Sequence, residues 1–252
     1  MRDKFADVVY EIGKKDKRIC ALVADISPAG SMLKFREKFP SRFINCGVAE
    51  QAMIGIAAGM ALRGMRPFCY TIATFSIFRP FEMVRVDLCY QNLPVVIVGV
   101  GGGLSYASLN ATHHALEDIA FLRVLPNMTV VCPGDAWEVR AAMRSALEVN
   151  GPVYIRMAKK GEPLVHNSLP HFQIGKGITV REGKDICFLN SGSLLPNAIK
   201  AAEELEEKGI SVKVVSMHTV KPLDEELLTE VFSNFSHIFT LEEHSLLGGF
   251  GG

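Results

Sequence analysis

The chain has 252 residues, 48% of them hydrophobic, and its 27 lysines and arginines balance 27 aspartates and glutamates. That length and apolar content provide for one large domain or two smaller ones with a sizeable core. The neutral balance excludes nucleic acid or an acidic membrane surface as the main partner, because neither finds a broad positive field, but a small anionic ligand needs only a few local donors.

In chain order, Met1-Arg2-Asp3-Lys4 opens into an amphipathic helix pattern rather than a secretory leader. Residues 19–23 read as a buried strand, followed by an irregular segment over 25–30. A short extended run at 42–45 leads through Gly47-Val48-Ala49-Glu50-Gln51 into a small-residue helix over 52–62. Residues 67–70 read as a strand, 75–90 as a helix, and 95–98 as the clearest strand, running straight into Gly99-Val100-Gly101-Gly102-Gly103. Strands over 128–131 and 153–155 flank a helix over 135–149. Apolar strands without polar interruption, separated by helices, imply a parallel sheet covered on both faces. Residues 159–177 are rich in Lys, Gly, Pro, His and Asn and read as a linker. Beyond it come strands at 185–189, 212–215 and 237–241 and helices at 194–208 and 223–232, a second, smaller α/β unit. The boundary expected is 1–165 and 166–252, with the second unit cut short at its closing glycine run.

The six cysteines are scattered, with no Cys-x-x-Cys pair, and mostly lie in apolar runs; they read as reduced, buried thiols of a cytoplasmic protein. No apolar stretch is long enough to span a bilayer. No Ser-His-Asp elbow, P-loop or paired-carboxylate glycosidase pattern is present.

Glu50, at the first turn of so apolar a helix, has two readings. An acidic residue there suits capping and the helix dipole. Buried, a carboxyl group is pushed toward its neutral form and can donate to a ring nitrogen of a heterocyclic cofactor. Gly55 and Gly59, four apart, suit close helix packing within or between subunits. Phe75, Phe78 and Phe81 form either a core-facing stripe or an aromatic platform for a planar ring. The glycine run at 99–103 fails the dinucleotide fingerprint at Leu104 and reads as a flexible loop at a sheet edge, lining a cleft. Thr112-His113-His114 offers histidine contacts to substrate oxygens or a cap for the next helix, since adjacent histidines diverge and no third metal ligand stands at a recognisable spacing.

Ala24-Asp25-Ile26-Ser27-Pro28, Phe39-Pro40-Ser41-Arg42-Phe43, Gly47 to Gln51, Thr74-Phe75-Ser76-Ile77-Phe78, Thr112-His113-His114, Leu125-Pro126-Asn127-Met128, Cys132-Pro133-Gly134-Asp135 and Thr240-Leu241-Glu242-Glu243-His244 resemble, in this order, the C-terminal half of transketolase. The resemblance implies a thiamine-diphosphate-binding-type parallel-sheet domain followed by a smaller transketolase C-terminal-like α/β domain. It implies transfer of a two-carbon ketol unit between a ketose and an aldose, with Glu50 at N1′ of the aminopyrimidine of thiamine diphosphate. Phe75, Phe78 and Phe81 would wall that ring, and Asp25 would lie near it. His113, with His114, Ser27, Arg2, Arg156 and Lys159, would meet the substrate and its phosphate.

The family's Gly-Asp-Gly signature for Mg²⁺ and diphosphate is missing here, so the resemblance is to the second of the two chains of a split enzyme. A partner chain with the N-terminal half would supply Mg²⁺, in a heterotetramer built on a homodimer of this chain. Leu109 stands where sugar-phosphate transketolases carry an acid, and glycine near Gly101 where they carry a histidine, which weakens the usual hydroxyl-binding pattern. Deoxyxylulose-phosphate-synthase-like chemistry, a 2-oxo-acid dehydrogenase beta chain, and a non-catalytic regulatory half are the alternatives.

Overall fold

Apolar strands alternating with helices can bury both faces of a sheet only by laying helices above and below it, and this arrangement forms twice. The computed structural model describes residues 1–26, 31–159 and 161–252. The expected contact at Ser27 lies outside the described residues.

The first half runs Arg2–Lys15 (α1), Ile19–Val23 (β1), Ser31–Lys38 (α2), Phe43–Asn45 (β2), Glu50–Leu62 (α3), Arg66–Ile72 (β3) and Ala73–Ile77 (α4). After Pro80, a short turn Phe81–Met83 (α5) continues as a π-helical segment, Val84–Tyr90. Val96–Val100 (β4), Asp118–Arg123 (α6), Thr129–Val131 (β5), Ala136–Ser145 (α7) and Val153–Met157 (β6) complete it. The second half comprises Ile178–Arg181 (β7), Ile186–Asn190 (β8), Leu195–Glu206 (α8), Val212–Ser216 (β9), Thr219–Lys221 (β10), Glu225–Asn234 (α9) and Ile238–Leu241 (β11).

The large sheet has the order β10-β5-β6-β4-β3-β1-β2 and is parallel except at β10. Phe5, Val8 and Val9 of α1, Met32 and Phe35 of α2, and Val139 and Met143 of α7 cover one face. Met53, Ile54 and Ala57 of α3, Leu88 of the π-helical segment, and Ile119 and Leu122 of α6 cover the other. The small sheet, β11-β8-β9-β7, has β7 antiparallel to β9 and carries α8 and α9 on opposite faces.

Two local expectations are corrected and a third is narrowed. The helix expected over 75–90 is broken, because Pro80 has no N–H to give the carbonyl of Ser76. The glycine run is not at a sheet edge: β4 lies between β3 and β6, and Gly101 N and Gly102 N both donate to Met157 O. Gly55 and Gly59 pack against nothing within this chain, since a Cβ at either would meet no atom within 4 Å. The antiparallel strands β7 and β10 lie outside the sequence reading; at four and three residues they are too short to show alternation.

β10 ties the halves together by extending the large sheet beside β5, and Cys132 N donates to His218 O. The segment read as a linker folds into this seam. Asp135 caps α7 through Trp137 N and Glu138 N, and its other oxygen accepts from Val165 N and His166 N. Glu138 is fully buried, 2.6 Å from Gly134 N and 3.0 Å from His166 Nε2. Burial pushes its carboxyl up to about 7, against the opposing pull of the Gly134 amide. A carboxyl group raised in the fold stabilises it fully below the unfolded value of 4.5, and that contribution is lost as pH rises through about 7. Buried His218, stacked on Phe172, runs the other way: burial lowers it to about 3, so its contribution is lost as pH falls below 6.5. Comparing Glu138→Gln with the parent isolates the first effect. The variant is expected to gain relative stability from pH 4.5 upward, reaching about 3 kcal/mol above pH 7.5, as read by thermal unfolding across pH. Parallel curves for the two proteins would refute the assignment to Glu138.

All six cysteines are free thiols, five buried and Cys46 half-buried. Among the described residues no helix is long and apolar enough to cross a membrane.

Candidate active site

Strand order places the site. β1 is flanked by β2 on one side and β3 on the other, so the crossovers leave the sheet in opposite directions at the carboxyl ends of β1 and β3. Ligands of parallel α/β sheets bind at such a point. A cavity of about 410 Å³ opens there, lined by Ala24, Asp25 and Ile26 after β1, Thr71, Ile72 and Phe75 at the end of β3, and Arg2, Glu50, Arg79 and Tyr106.

Glu50 is the first residue of α3 and only 4% exposed. Its oxygens do not cap the helix. Arg79 Nη1 donates to both, at 2.9 and 3.0 Å. The Arg79 guanidinium also lies over the Phe75 ring, 4.1 Å from its centroid. Phe75 and Arg79 are four residues apart across the break before Pro80, close to helical spacing. That spacing was the signal available in the sequence for Arg79, which sequence reasoning missed.

Asn45, at the end of β2, was also missed. Its side-chain oxygen accepts from Asp25 N at 3.1 Å and Gly47 N at 3.0 Å. Asp25 (φ +46°) and Gly47 (φ +68°) both hold left-handed backbone, which these two bonds support. Asp25 thereby joins the cavity lining.

His113 sits edge-on to Phe75, ring centroids 5.1 Å apart, and its Nδ1 is 2.9 Å from Thr112 Oγ1. Thr74 Oγ1 donates to Thr112 O, which holds the histidine loop against the end of β3. Tyr106 closes the cavity beside His113, and Lys159 Nζ lies 5.1 Å from the Tyr106 centroid. Gly101 (φ +84°) has no room for a side chain, because a Cβ there would come within 2.2 Å of Tyr106. The tyrosine ring therefore fills the space beside Gly101, the position where the resemblance led one to expect a histidine.

The aromatic stripe is divided. Phe75 faces the Glu50 cavity, whereas Phe78 and Phe81 line a neighbouring cavity of about 680 Å³ with His114, Glu117 and Phe121. Phe121 packs on both, at 5.5 and 5.3 Å. The larger cavity thus carries most of the rings, and the smaller one the carboxylate. The break at Pro80 turns Phe78 and Phe81 away from the line of Phe75.

Arg156 is not in either lining. It is buried, with Nε 2.9 Å from Asp118 Oδ2 and Nη2 2.8 Å from both Ala115 O and Glu243 O, while Tyr154 Oη donates to the same Asp118 oxygen. The expectation of a phosphate contact at Arg156 is corrected accordingly: the guanidinium is taken up by a buried ion pair joining α6, β6 and the second half. No group of three or more His, Cys, Asp or Glu side chains among the described residues is placed to hold a metal ion.

The doubly wound sheet, the buried acid at its switch point and the aromatic face beside it define a class, and sequence comparison names it: the chain belongs to the transketolase family. Residues 1–162 match the transketolase pyrimidine-binding domain and residues 175–252 the transketolase C-terminal domain. The chain is 38% identical over 251 residues to one chain of the apulose-4-phosphate transketolase of Phocaeicola vulgatus, covering 99% of this chain and 80% of that one. It is 38% identical over 251 residues to one chain of a 6-deoxy-6-sulfo-D-fructose transketolase of a Clostridium species, covering 100% of this chain and 78% of the relative. A solved structure described as a split gene transketolase, inactive beta4 tetramer, superposes with a TM-score of 0.91 at 40% identity, over 99% of this chain and 81% of that one.

Proposed function

We propose that this chain is the pyrimidine-side half of a two-chain transketolase, moving a two-carbon ketol unit from a ketose to an aldose. The observation that carries the reading is Glu50: a carboxylate 4% exposed, beside the face of Phe75, in a cavity at the sheet's switch point. The residues fit the aminopyrimidine of thiamine diphosphate, because a planar group that hydrogen-bonds Glu50 and stacks on Phe75 is already accommodated there in the form of the Arg79 guanidinium.

Bound there, thiamine diphosphate supplies an electron sink for breaking a carbon–carbon bond beside a carbonyl. Glu50 holds a proton at N1′ of the ring. Phe75 and Ile72 keep water from it. His113, with Nδ1 engaged by Thr112, offers Nε2 to substrate oxygens. Arg2, Asp25 and Lys159 stand at the rim for the polar end of the substrate, the two cations suiting a phosphate. Phe78, Phe81 and His114 form an aromatic wall that the partner chain closes. That partner brings the Mg²⁺ and diphosphate site, and copies of this chain pair through the exposed small-residue face of α3 at Gly55 and Gly59. Leu109 and the tyrosine-filled place at Gly101 favour a donor less hydroxylated at that position than an ordinary pentose phosphate.

Reconstitution with a diphosphate-domain partner tests this. Ketol transfer is expected only when both chains, thiamine diphosphate and Mg²⁺ are present. A two-chain complex that fails to bind thiamine diphosphate would remove the reading altogether.

A further inference from the structure

Glu50 poses a problem in a chain without cofactor. A carboxylate so deeply buried is costly unless it is paired. Arg79 solves it from outside: its side chain is 46% exposed, yet Nη1 reaches both Glu50 oxygens and the guanidinium plane covers Phe75 at 4.1 Å. The space over one ring face is then taken, and one lone pair on each Glu50 oxygen is engaged. A heterocycle and the guanidinium cannot share that face. An ion-paired carboxylate is moreover an acceptor only, with no proton to give.

We propose that Arg79 is a displaceable self-ligand of the cofactor site: it occupies the place of the aminopyrimidine in the cofactor-free chain and must swing toward solvent before that ring binds. The inference rests on the thiamine-diphosphate reading above. Entry of the ring replaces the cation on Phe75 and frees Glu50 to hold a proton at the ring nitrogen. Arg79 thus sets cofactor affinity by competition and keeps the cofactor-free site intact until assembly. The side chain, at the break before Pro80, is already half-exposed and so has solvent to swing into.

The test is calorimetric titration of thiamine diphosphate, in magnesium buffer, into the complete two-chain complex. Arg79→Ala is expected to bind about ten-fold more tightly than the parent, the combined strength of an exposed-side ion pair and a cation–π contact. Arg79→Lys, which keeps the charge but loses the planar stack, is expected to fall between them. Unchanged or weaker binding by Arg79→Ala overturns the proposal, weaker binding meaning that Arg79 contacts the cofactor rather than competes with it. A second readout needs no turnover. With arginine side chains ¹⁵N-labelled, the Arg79 Nε–H signal is expected to carry the ring-current shift of Phe75 in the cofactor-free complex and to lose it on adding thiamine diphosphate. A signal already unshifted in the cofactor-free complex also overturns the proposal. If the parent complex binds no thiamine diphosphate, the cofactor reading fails and the self-ligand with it. If the parent binds and Arg79→Ala gains nothing, the cofactor reading stands and Arg79 alone is misassigned.

Discussion

Glu50→Gln in the assembled enzyme is expected to lower kcat by about 10²–10⁴-fold, the range for losing a positioned acid–base group. Glutamine keeps the length and shape of the side chain and can still accept a hydrogen bond from Arg79. Because that pair is exposed on the arginine side, its loss costs the fold no more than about 1 kcal/mol. The expected signature is therefore a collapsed kcat with a nearly unchanged melting temperature and a chain that still pairs with its partner. Glu50→Ala is a poorer test, because it also empties buried volume and strands Arg79 over Phe75. A Glu50→Gln enzyme turning over at the parent rate would leave Glu50 as a helix-start residue and nothing more.

The second large effect concerns stability. Arg156→Met removes the cation from a fully buried ion pair and leaves the Asp118 carboxylate with the Tyr154 hydroxyl alone. Breaking one side of such a pair costs about 3–5 kcal/mol, and at this chain length each kcal/mol lowers the melting temperature by about 2–4 °C. A fall of roughly 6–20 °C is expected. The double variant Arg156→Met with Asp118→Asn is expected to recover part of it, because the stranded charge is gone; the double-mutant cycle isolates the coupling. An Arg156 that served a substrate phosphate would give the opposite pattern, a raised KM with the melting temperature unchanged.

These two residues also show how much of the site could be read from the chain. Glu50 was legible in part: a carboxylate at the first turn of so apolar a helix is either a helix-start cap or a buried acid, and the chain alone left both readings open. Phe75 was legible because it follows a strand directly, where parallel sheets hold ligands. Arg156 was not, since an arginine inside a strand looks the same whether it reaches a cavity or a carboxylate 38 residues earlier in the chain. Arg79 escaped for a related reason: its partners, Glu50 and Phe75, come together only when α3 and the segment after β3 meet.

By itself the sequence determined the alternation of strands and helices, their two-unit grouping, the burial of the cysteines and the family, because each of these depends on local periodicity or on motifs in fixed order. The tertiary structure alone decided that Pro80 splits the aromatic stripe between two cavities, that β10 of the second half completes the first sheet, and that Tyr106 fills the space above Gly101. The first two outcomes depend on residues far apart in the chain, Phe121 beside Phe78 and Phe81 and β10 beside β5, and the third on which way the loop after Gly101 turns; in each, side chains compete for one volume. Local pattern carries no record of who wins that competition.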